Sequence, residues 1–186
     1  MGRWEPDARG RLRQAAMELF DECGYEQATV ADIAARAGLT ARTFFRYFAD
    51  KREILFAGSE ELAVGLTAAL DTTAPPLDAV ASALEVVAEL IGGDHELSSR
   101  RQTIIAAHPD LQERERGKLA AWSDGLAAEL GASGVDALTA SLAAETGVGV
   151  FRVAFDRWVA GPGDTGLPQT LREAFTQLRA VTEPRR

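Results

Sequence analysis

The sequence predicts an all-α protein of about nine helices, with three short helices in a small N-terminal domain and the others in a larger body. Apolar residues recur at intervals of three and four, which is the pattern of a helix with one buried face. The stretch 77–91 shows this pattern most clearly, with Leu77, Val80, Ala81, Leu84, Val87, Ala88 and Ile91. No sustained run alternates apolar and polar residues, so no sheet is expected.

Glycine and proline separate the helix-length segments, because both residues interrupt helices. The breaks fall at Gly24, at Gly38, at Pro75 with Pro76, and at the stretches 92–94, 108–109, 131–134 and 161–163. We expect a domain boundary early in a long helix that begins near Asp50 and is capped by Asp50 with Glu53. The predicted domains are residues 1–52 and residues 53–186.

The composition is that of a globular protein, with 46% apolar and 26% charged residues in a chain of 186. No run approaches the roughly eighteen uncharged apolar residues of a spanning helix, and the first residues are charged, so a cytoplasmic protein without a membrane segment is expected. The single cysteine excludes an internal disulfide framework.

The charge is distributed unevenly along the chain. Residues 1–52 contain nine Lys and Arg against eight Asp and Glu, whereas residues 53–186 contain eleven against twenty. The net charge of −8 argues against general adhesion to nucleic acid. The N-terminal domain is therefore the part of the chain where a polyanion would dock.

The segment 28–51 predicts two short helices joined by a tight turn. Thr29 with Asp32 forms the cap signature of the first helix, and Thr40 is placed to cap the second. Gly38 lies between them, where a short turn requires the left-handed conformation that glycine adopts easily. Apolar positions on both helices fall on the side where the helices must touch. This arrangement is typical of a helix-turn-helix.

Four aromatic residues lie on the second of these helices and cannot all face inward. Phe44 and Phe48 share a face with Tyr47 beside them, and we expect these three rings to close the small core. Phe45 points away from that core.

The outward side of the helix combines Phe45 with Thr40, Arg42 and Arg46. In a major groove, Arg42 would donate to guanine, Phe45 would lie against a thymine methyl group and Arg46 would pair with a phosphate. A helical hairpin that never touches DNA is the alternative, because arginine on a helix surface is ordinarily solvated.

The stretch TVADIAARAGLTARTFFRYFADKREIL resembles the DNA-binding signature of the TetR family of bacterial transcriptional regulators. The preceding stretch RGRLRQAAMELFDECGYEQAT is similar to the first helix of that family, so the resemblance covers residues 9–56. It implies an all-helical homodimer that reads a palindromic DNA operator and binds a small-molecule effector in its body. Such regulators are usually repressors. The effector would shift the long helix that begins near Asp50 and would thereby change the distance between the two recognition helices of the dimer.

The resemblance also implies which residues meet DNA. Thr29 and Thr40 would contact phosphates, and Arg42 and Thr43 would lie nearest the bases. The residues that would lie against the DNA backbone are Phe45, Arg46, Tyr47 and Lys51. The family often has tyrosine where this chain has Phe45, so a hydroxyl contact to phosphate is absent here.

The segment 135–160 is apolar on more than one face and contains Gly147 and Gly149. Glycine within a helix costs about 1 kcal/mol relative to alanine, so two of them suggest that another element approaches closely. The segments 135–160 and 166–182 are therefore predicted to form the homodimer seam. A central core helix without a role in dimerisation is the alternative.

Large aromatic residues in the body are candidates for lining an effector pocket, although a row of rings at helical spacing is often plain core. The candidate pocket residues are Arg101, His108, Trp122, Phe151, Arg152 and Phe155, with Trp158 in the same row of rings. A histidine at the end of a helix commonly donates to the terminal carbonyl groups, and this is the alternative role for His108.

No enzyme, cofactor or metal site is expected, because the two histidines form no zinc-binding motif and no serine lies in a glycine-flanked elbow. A helical small-molecule binding protein without specific DNA binding is the alternative function.

Overall fold

The computed structural model describes residues 7–182, and every regular element in that range is helical. The nine α-helices of this part of the chain are α1 (Ala8–Cys23), α2 (Val30–Arg36), α3 (Ala41–Tyr47), α4 (Ser59–Ala68), α5 (Pro76–Ile91), α6 (His95–Ala107), α7 (Pro109–Ala132), α8 (Ala137–Ala160) and α9 (Leu167–Thr182). The prediction of an all-α fold is confirmed. The chain divides into two compact units between Gly58 and Ser59.

The N-terminal unit is built on α1, against which α2 and a short 3₁₀ helix (Arg52–Phe56) pack. Its core consists of the inward side chains of these helices and α3. The buried residues include Leu12, Ala16, Phe20, Ile33, Phe44 and Phe48. This core fixes the position of α3, the second helix of the predicted helix-turn-helix.

The prediction of one long helix starting near Asp50 is wrong. Asp50 does accept a hydrogen bond from the Glu53 amide (3.1 Å), but this cap starts only the 3₁₀ helix Arg52–Phe56. The chain then turns at Gly58, where φ is +92°, and α4 begins at the next residue. The three consecutive residues 54–56 are all buried. These residues pack into the N-terminal unit, and the left-handed Gly58 separates them from α4.

The core of the C-terminal unit lies between α5, α7, α8 and α9. Gly147 of α8 lies against α5, because a Cβ atom there would overlap Cγ1 of Val80 and lie 3.4 Å from Cδ1 of Leu84. A Cβ atom at Gly149 would meet nothing within 4 Å. The close approach expected at these glycines is therefore made at Gly147 by α5 of the same chain.

Within the described part of the chain, α8 is the one helix whose length and apolar composition would allow it to span a membrane. Here its buried side chains pack against α5, α7 and α9. That burial is the behaviour of a central helix in a helical body.

Candidate nucleic-acid interface and effector site

The joint between α2 and α3 has the caps and the turn that the sequence predicts. The Thr29 hydroxyl accepts a hydrogen bond from the Asp32 amide (3.1 Å), and the Asp32 carboxylate accepts one from the Thr29 amide (3.3 Å). The Thr40 hydroxyl accepts from the Thr43 amide (3.1 Å) at the start of α3. Gly38 has φ of +67°. Local hydrogen bonds therefore begin both helices and set the angle between them.

The aromatic residues of α3 lie on two sides. Phe44 and Phe48 are buried, whereas Phe45 is 58% exposed and packs edge-on against Phe44, with 5.5 Å between ring centroids. The expectation that Tyr47 closes the core is wrong, because its side chain is 38% exposed. Tyr47 is the last residue of α3 and instead lies beside Arg46, whose guanidinium carbon is 4.9 Å from the Tyr47 ring centroid.

The cations of this unit differ in how they are held. Arg42 is exposed and makes no hydrogen bond or ion pair within the described range. The Arg46 guanidinium donates to the Tyr47 hydroxyl (3.0 Å). The Lys51 ammonium donates to the Tyr25 carbonyl oxygen (2.6 Å) and lies 4.2 Å from the Tyr25 ring centroid. Arg42 is thus open to an external partner, whereas Lys51 also ties its own segment to the turn after α1.

Two contacts within the N-terminal unit were not predicted from the sequence. Arg36 of α2 forms a double hydrogen bond with Glu22 of α1, at 2.6 Å for both N–O pairs. These bonds lower the pKa of Glu22 and raise the pKa of Arg36. Arg9 lies over the Phe48 ring, 5.9 Å from its centroid. The paired residues are far apart in sequence, so no local pattern indicates them.

In the body, the predicted aromatic residues form a continuous row. The ring centroids of Trp122 and Phe151 are 5.4 Å apart, those of Phe151 and Phe155 are 6.0 Å apart, and those of Phe155 and Trp158 are 5.8 Å apart. Phe155 is half-buried, while the other three residues are buried. The row therefore belongs to the core of the body and is open at Phe155.

The predicted polar residues of the pocket mostly face other protein groups. Arg101 donates to Glu115 (3.1 Å), and Gln102 donates to the other oxygen of that carboxylate (3.1 Å). His108 Nδ1 lies 2.7 Å from the Ile104 carbonyl oxygen. Because a carbonyl oxygen only accepts, Nδ1 must carry the proton there. His108 thus caps the end of α6, the second of the two roles considered for it.

Arg152 lies on the exposed side of α8, 3.8 Å from the Asp156 carboxylate. Burial raises the pKa of Asp156, the nearby Arg152 charge opposes that rise, and the Glu115 carboxylate adds to it. The neighbourhood of Phe155 therefore holds two carboxylates, one of which is partly desolvated. Each of these carboxylates lies near an arginine, Glu115 near Arg101 and Asp156 near Arg152, so neither arginine is left for an anionic ligand.

The outer face of α8 carries an apolar stripe of exposed side chains that Glu145 interrupts. Leu138, Leu142 and Val153 are all exposed, and Gly149 lies on the same face. On α9, Val181 is exposed as well. These residues lie within the two segments predicted to form the dimer seam.

Comparisons with known proteins agree with this architecture. The sequence profile of the bacterial regulatory proteins of the tetR family matches residues 12–57. The profile of the MftR C-terminal domain matches residues 74–183. Together the two profiles identify a DNA-binding regulator of transcription. The chain belongs to the TetR family.

Among its relatives is MftR of Mycobacterium tuberculosis, described as a candidate mycofactocin biosynthesis transcriptional regulator. It is 28% identical over 187 residues, covering 97% of this chain and 93% of MftR. The regulator TcmR of Streptomyces glaucescens is 35% identical over 115 residues, covering 60% of this chain but only 50% of TcmR. These relatives favour a regulator over a small-molecule binding protein without specific DNA binding.

Solved structures share the fold. FadR of Thermus thermophilus, a TetR-family repressor in complex with lauroyl-CoA, has a TM-score of 0.60 at 23% identity, with 96% of each chain covered. NalD of Pseudomonas aeruginosa, a repressor of a multidrug efflux pump, has a TM-score of 0.65 at 17% identity, with 94% of this chain and 96% of NalD covered. At such identities the likeness extends to the fold alone.

Proposed function

We propose that the protein is a repressor that binds a palindromic operator as a homodimer and leaves it when a small-molecule effector binds the body. The observation that carries the DNA step is the outward face of α3. There an exposed apolar ring, Phe45, lies beside Arg42, an arginine without a partner among the described residues. Both side chains project from a helix that buried Phe44 holds in place.

This face suits a major groove. Arg42 has its donors available for guanine O6 and N7, the acceptors that arginine most often reads. Phe45 offers an apolar surface to a thymine methyl group. Arg46 is held by Tyr47 beside it, and with Thr29, Thr40 and Lys51 it would contact phosphates that set the register but carry no sequence information.

The apolar stripe on α8 supports the homodimer. Leu138, Leu142 and Val153 are exposed in one chain, and Gly149 leaves room on the same face for another helix to approach. Segments 135–160 and 166–182 would then pair with the same segments of a second copy. Permanent homodimer interfaces bury roughly 2,000–5,000 Å² in total.

The row of rings around Phe155 is the place proposed for the effector. Operator and effector would bind distinct conformations of the dimer, so the coupling between them would be reciprocal: operator DNA would weaken effector binding by the factor by which effector weakens operator binding. The protein would work in the cytoplasm as a regulator rather than an enzyme and would need no cofactor. Within the described residues, no group of three or more His, Cys, Asp or Glu side chains is arranged to hold a metal ion.

The variant Arg42→Ala tests the proposed contact of α3 with DNA. Arg116→Ala is the matched control, because it removes an equal charge from an exposed position on α7. A bidentate arginine–guanine contact contributes about 1–3 kcal/mol, so Arg42→Ala should weaken binding to a specific duplex by about 5- to 150-fold for each half-site. Arg116→Ala should bind like the wild type. Fluorescence anisotropy with a labelled duplex measures both, and equal affinities for the two variants would contradict the proposed role of α3.

A further inference from the structure

The indole of Trp158 has a hydrogen-bond donor that nothing in the described structure uses. Trp158 is 3% exposed, and its Nε1 atom is buried without a hydrogen-bond partner. Tryptophan has this single donor and no acceptor, and buried donors in folded proteins almost always have a partner. A lone buried N–H of this kind therefore calls for an acceptor from outside the chain.

Two side chains of α6 donate to backbone carbonyl oxygens beside the Trp158 indole. His95 Nε2 donates to the Trp158 carbonyl oxygen (3.0 Å), and Ser99 donates to the Val159 carbonyl oxygen (2.9 Å). The His95 ring also stands edge-on to the indole, with 4.9 Å between centroids at an angle of 84°. These contacts fix the indole, and the groups that make them leave its N–H free.

The ring of Phe155, which contacts the Trp158 indole, is partly accessible. Phe155, whose ring centroid is 5.8 Å from that of Trp158, is the half-buried member of the row. On its other side Phe151 is nearly parallel to it, at an interplanar angle of 19°. A flat apolar molecule that packs on Phe155 would therefore lie beside the ring that bears the unused donor.

The charged groups nearby narrow the chemistry of such a molecule. Arg101 is engaged by Glu115, and Arg152 lies beside Asp156 on the exposed side of α8. Each guanidinium group is thus already paired with a carboxylate and is not available to bind an anion. A neutral acceptor, such as a ketone, ester or amide oxygen, fits this environment.

We propose that Trp158 Nε1 is the hydrogen-bond donor for a neutral carbonyl oxygen of an effector whose flat apolar part packs on Phe155. That this ligand is the effector of a transcriptional regulator rests on the proposed function. The binding site itself can be tested without DNA, so failure of operator binding and failure of this site are distinguishable.

Two ligands that differ at one position provide the test. 2-Acetylnaphthalene has a carbonyl group where 2-ethylnaphthalene has a methylene group, and their shapes are similar. One hydrogen bond contributes about 1 kcal/mol, so the wild-type protein should bind the ketone about five-fold more tightly. The protein has three tryptophans, so at most three indole N–H signals are expected in ¹H–¹⁵N spectra. The signal lost in Trp158→Phe should shift downfield with the ketone and not with the hydrocarbon.

Trp158→Phe should abolish the preference for the ketone, because phenylalanine has no donor. Trp122→Phe is the matched variant from the same row of rings. It should weaken both ligands by a similar factor and preserve their ratio. Equal wild-type affinity for the two ligands, binding of neither up to their solubility limits, or a preference that survives in Trp158→Phe would each overturn the proposal.

Discussion

Replacing Gly147 by alanine should loosen the packing of α8 on α5. The added Cβ would overlap Cγ1 of Val80 and touch Cδ1 of Leu84 at 3.4 Å. Val80 is fully buried and β-branched, so it cannot turn away without leaving its preferred rotamer. Overpacking costs about 1–3 kcal/mol, and the better helix propensity of alanine returns about 1 kcal/mol. The expected net loss is therefore about 1 kcal/mol, or about 2–4 °C in Tm for a chain of this length.

Urea unfolding at fixed protein concentration measures this loss, with Gly117→Ala of α7 as the control. A Cβ at Gly117 meets nothing within 4 Å, so that variant should be stabilised by up to about 1 kcal/mol. In a Val80→Ala background the overlap with Cγ1 is gone, and Gly147→Ala should then no longer destabilise. If Gly147→Ala is as stable as Gly117→Ala, or if Val80→Ala leaves its cost unchanged, the close approach of α5 and α8 is not as described.

The remaining predictions concern the DNA face, the dimer seam and acid stability. Replacing the thymine that contacts Phe45 by uracil in each half-site should weaken wild-type binding by about four-fold per methyl group, while Phe45→Ala should not distinguish the two duplexes. Leu142→Glu should convert the dimer to a monomer in sedimentation velocity, whereas Leu90→Glu, on α5 and 66% exposed, should not. Glu22→Gln should lose less stability than wild type as pH falls, because Arg36 holds the folded-state pKa of Glu22 below its ordinary 4.5.

The sign of the last effect follows from linkage. A carboxyl group with a lowered folded-state pKa stabilises the protein above its unfolded pKa, and that contribution is lost as pH falls through the folded pKa. Urea titrations from about pH 6 to about pH 3 should show it. If wild type and Glu22→Gln lose the same free energy of unfolding as pH falls, the ion pair between Glu22 and Arg36 does not have the assigned role. For the other two predictions, equal uracil sensitivity in Phe45→Ala, or a dimeric Leu142→Glu, would contradict the assigned surfaces.

The helix-turn-helix could be predicted from the sequence because its signals are local. The Thr29 and Thr40 caps each join residues three positions apart, and the Gly38 turn depends on the conformation of one residue. Phe44 and Phe45 were sorted correctly to the two sides of α3 by helical periodicity alone. The contacts of Arg42 and its neighbours with DNA stay predictions.

What failed depended on tertiary packing. The helix predicted from Asp50 is interrupted after the 3₁₀ helix Arg52–Phe56, where Gly58 adopts a left-handed conformation, and the cap at Asp50 gives no sign of this interruption. Tyr47 lies at the edge of the buried face of α3, three positions after Phe44, and the packing around that edge leaves it exposed. Gly147 and Gly149 look alike in sequence, yet only Gly147 has another helix against it within the chain.

The candidate effector site shows the same limit. The spacing of Phe151, Phe155 and Trp158 on one helix predicts a row of rings, and the row is present. The indole N–H of Trp158 can be recognised as unused only when the hydrogen bonds of its neighbours are known. Those neighbours belong to a different helix. Such a feature cannot be obtained from periodicity.

Selection of bound sequences from a random duplex pool tests most directly the claim that this protein is a dimeric reader of a palindrome. The enriched duplex should contain an inverted repeat with half-sites about one helical turn, or 34 Å, apart. Its Kd should rise steeply between two salt concentrations, as expected when several phosphates are neutralised. If the folded, dimeric protein enriches no sequence, or enriches only a single unrepeated site, the central claim is contradicted.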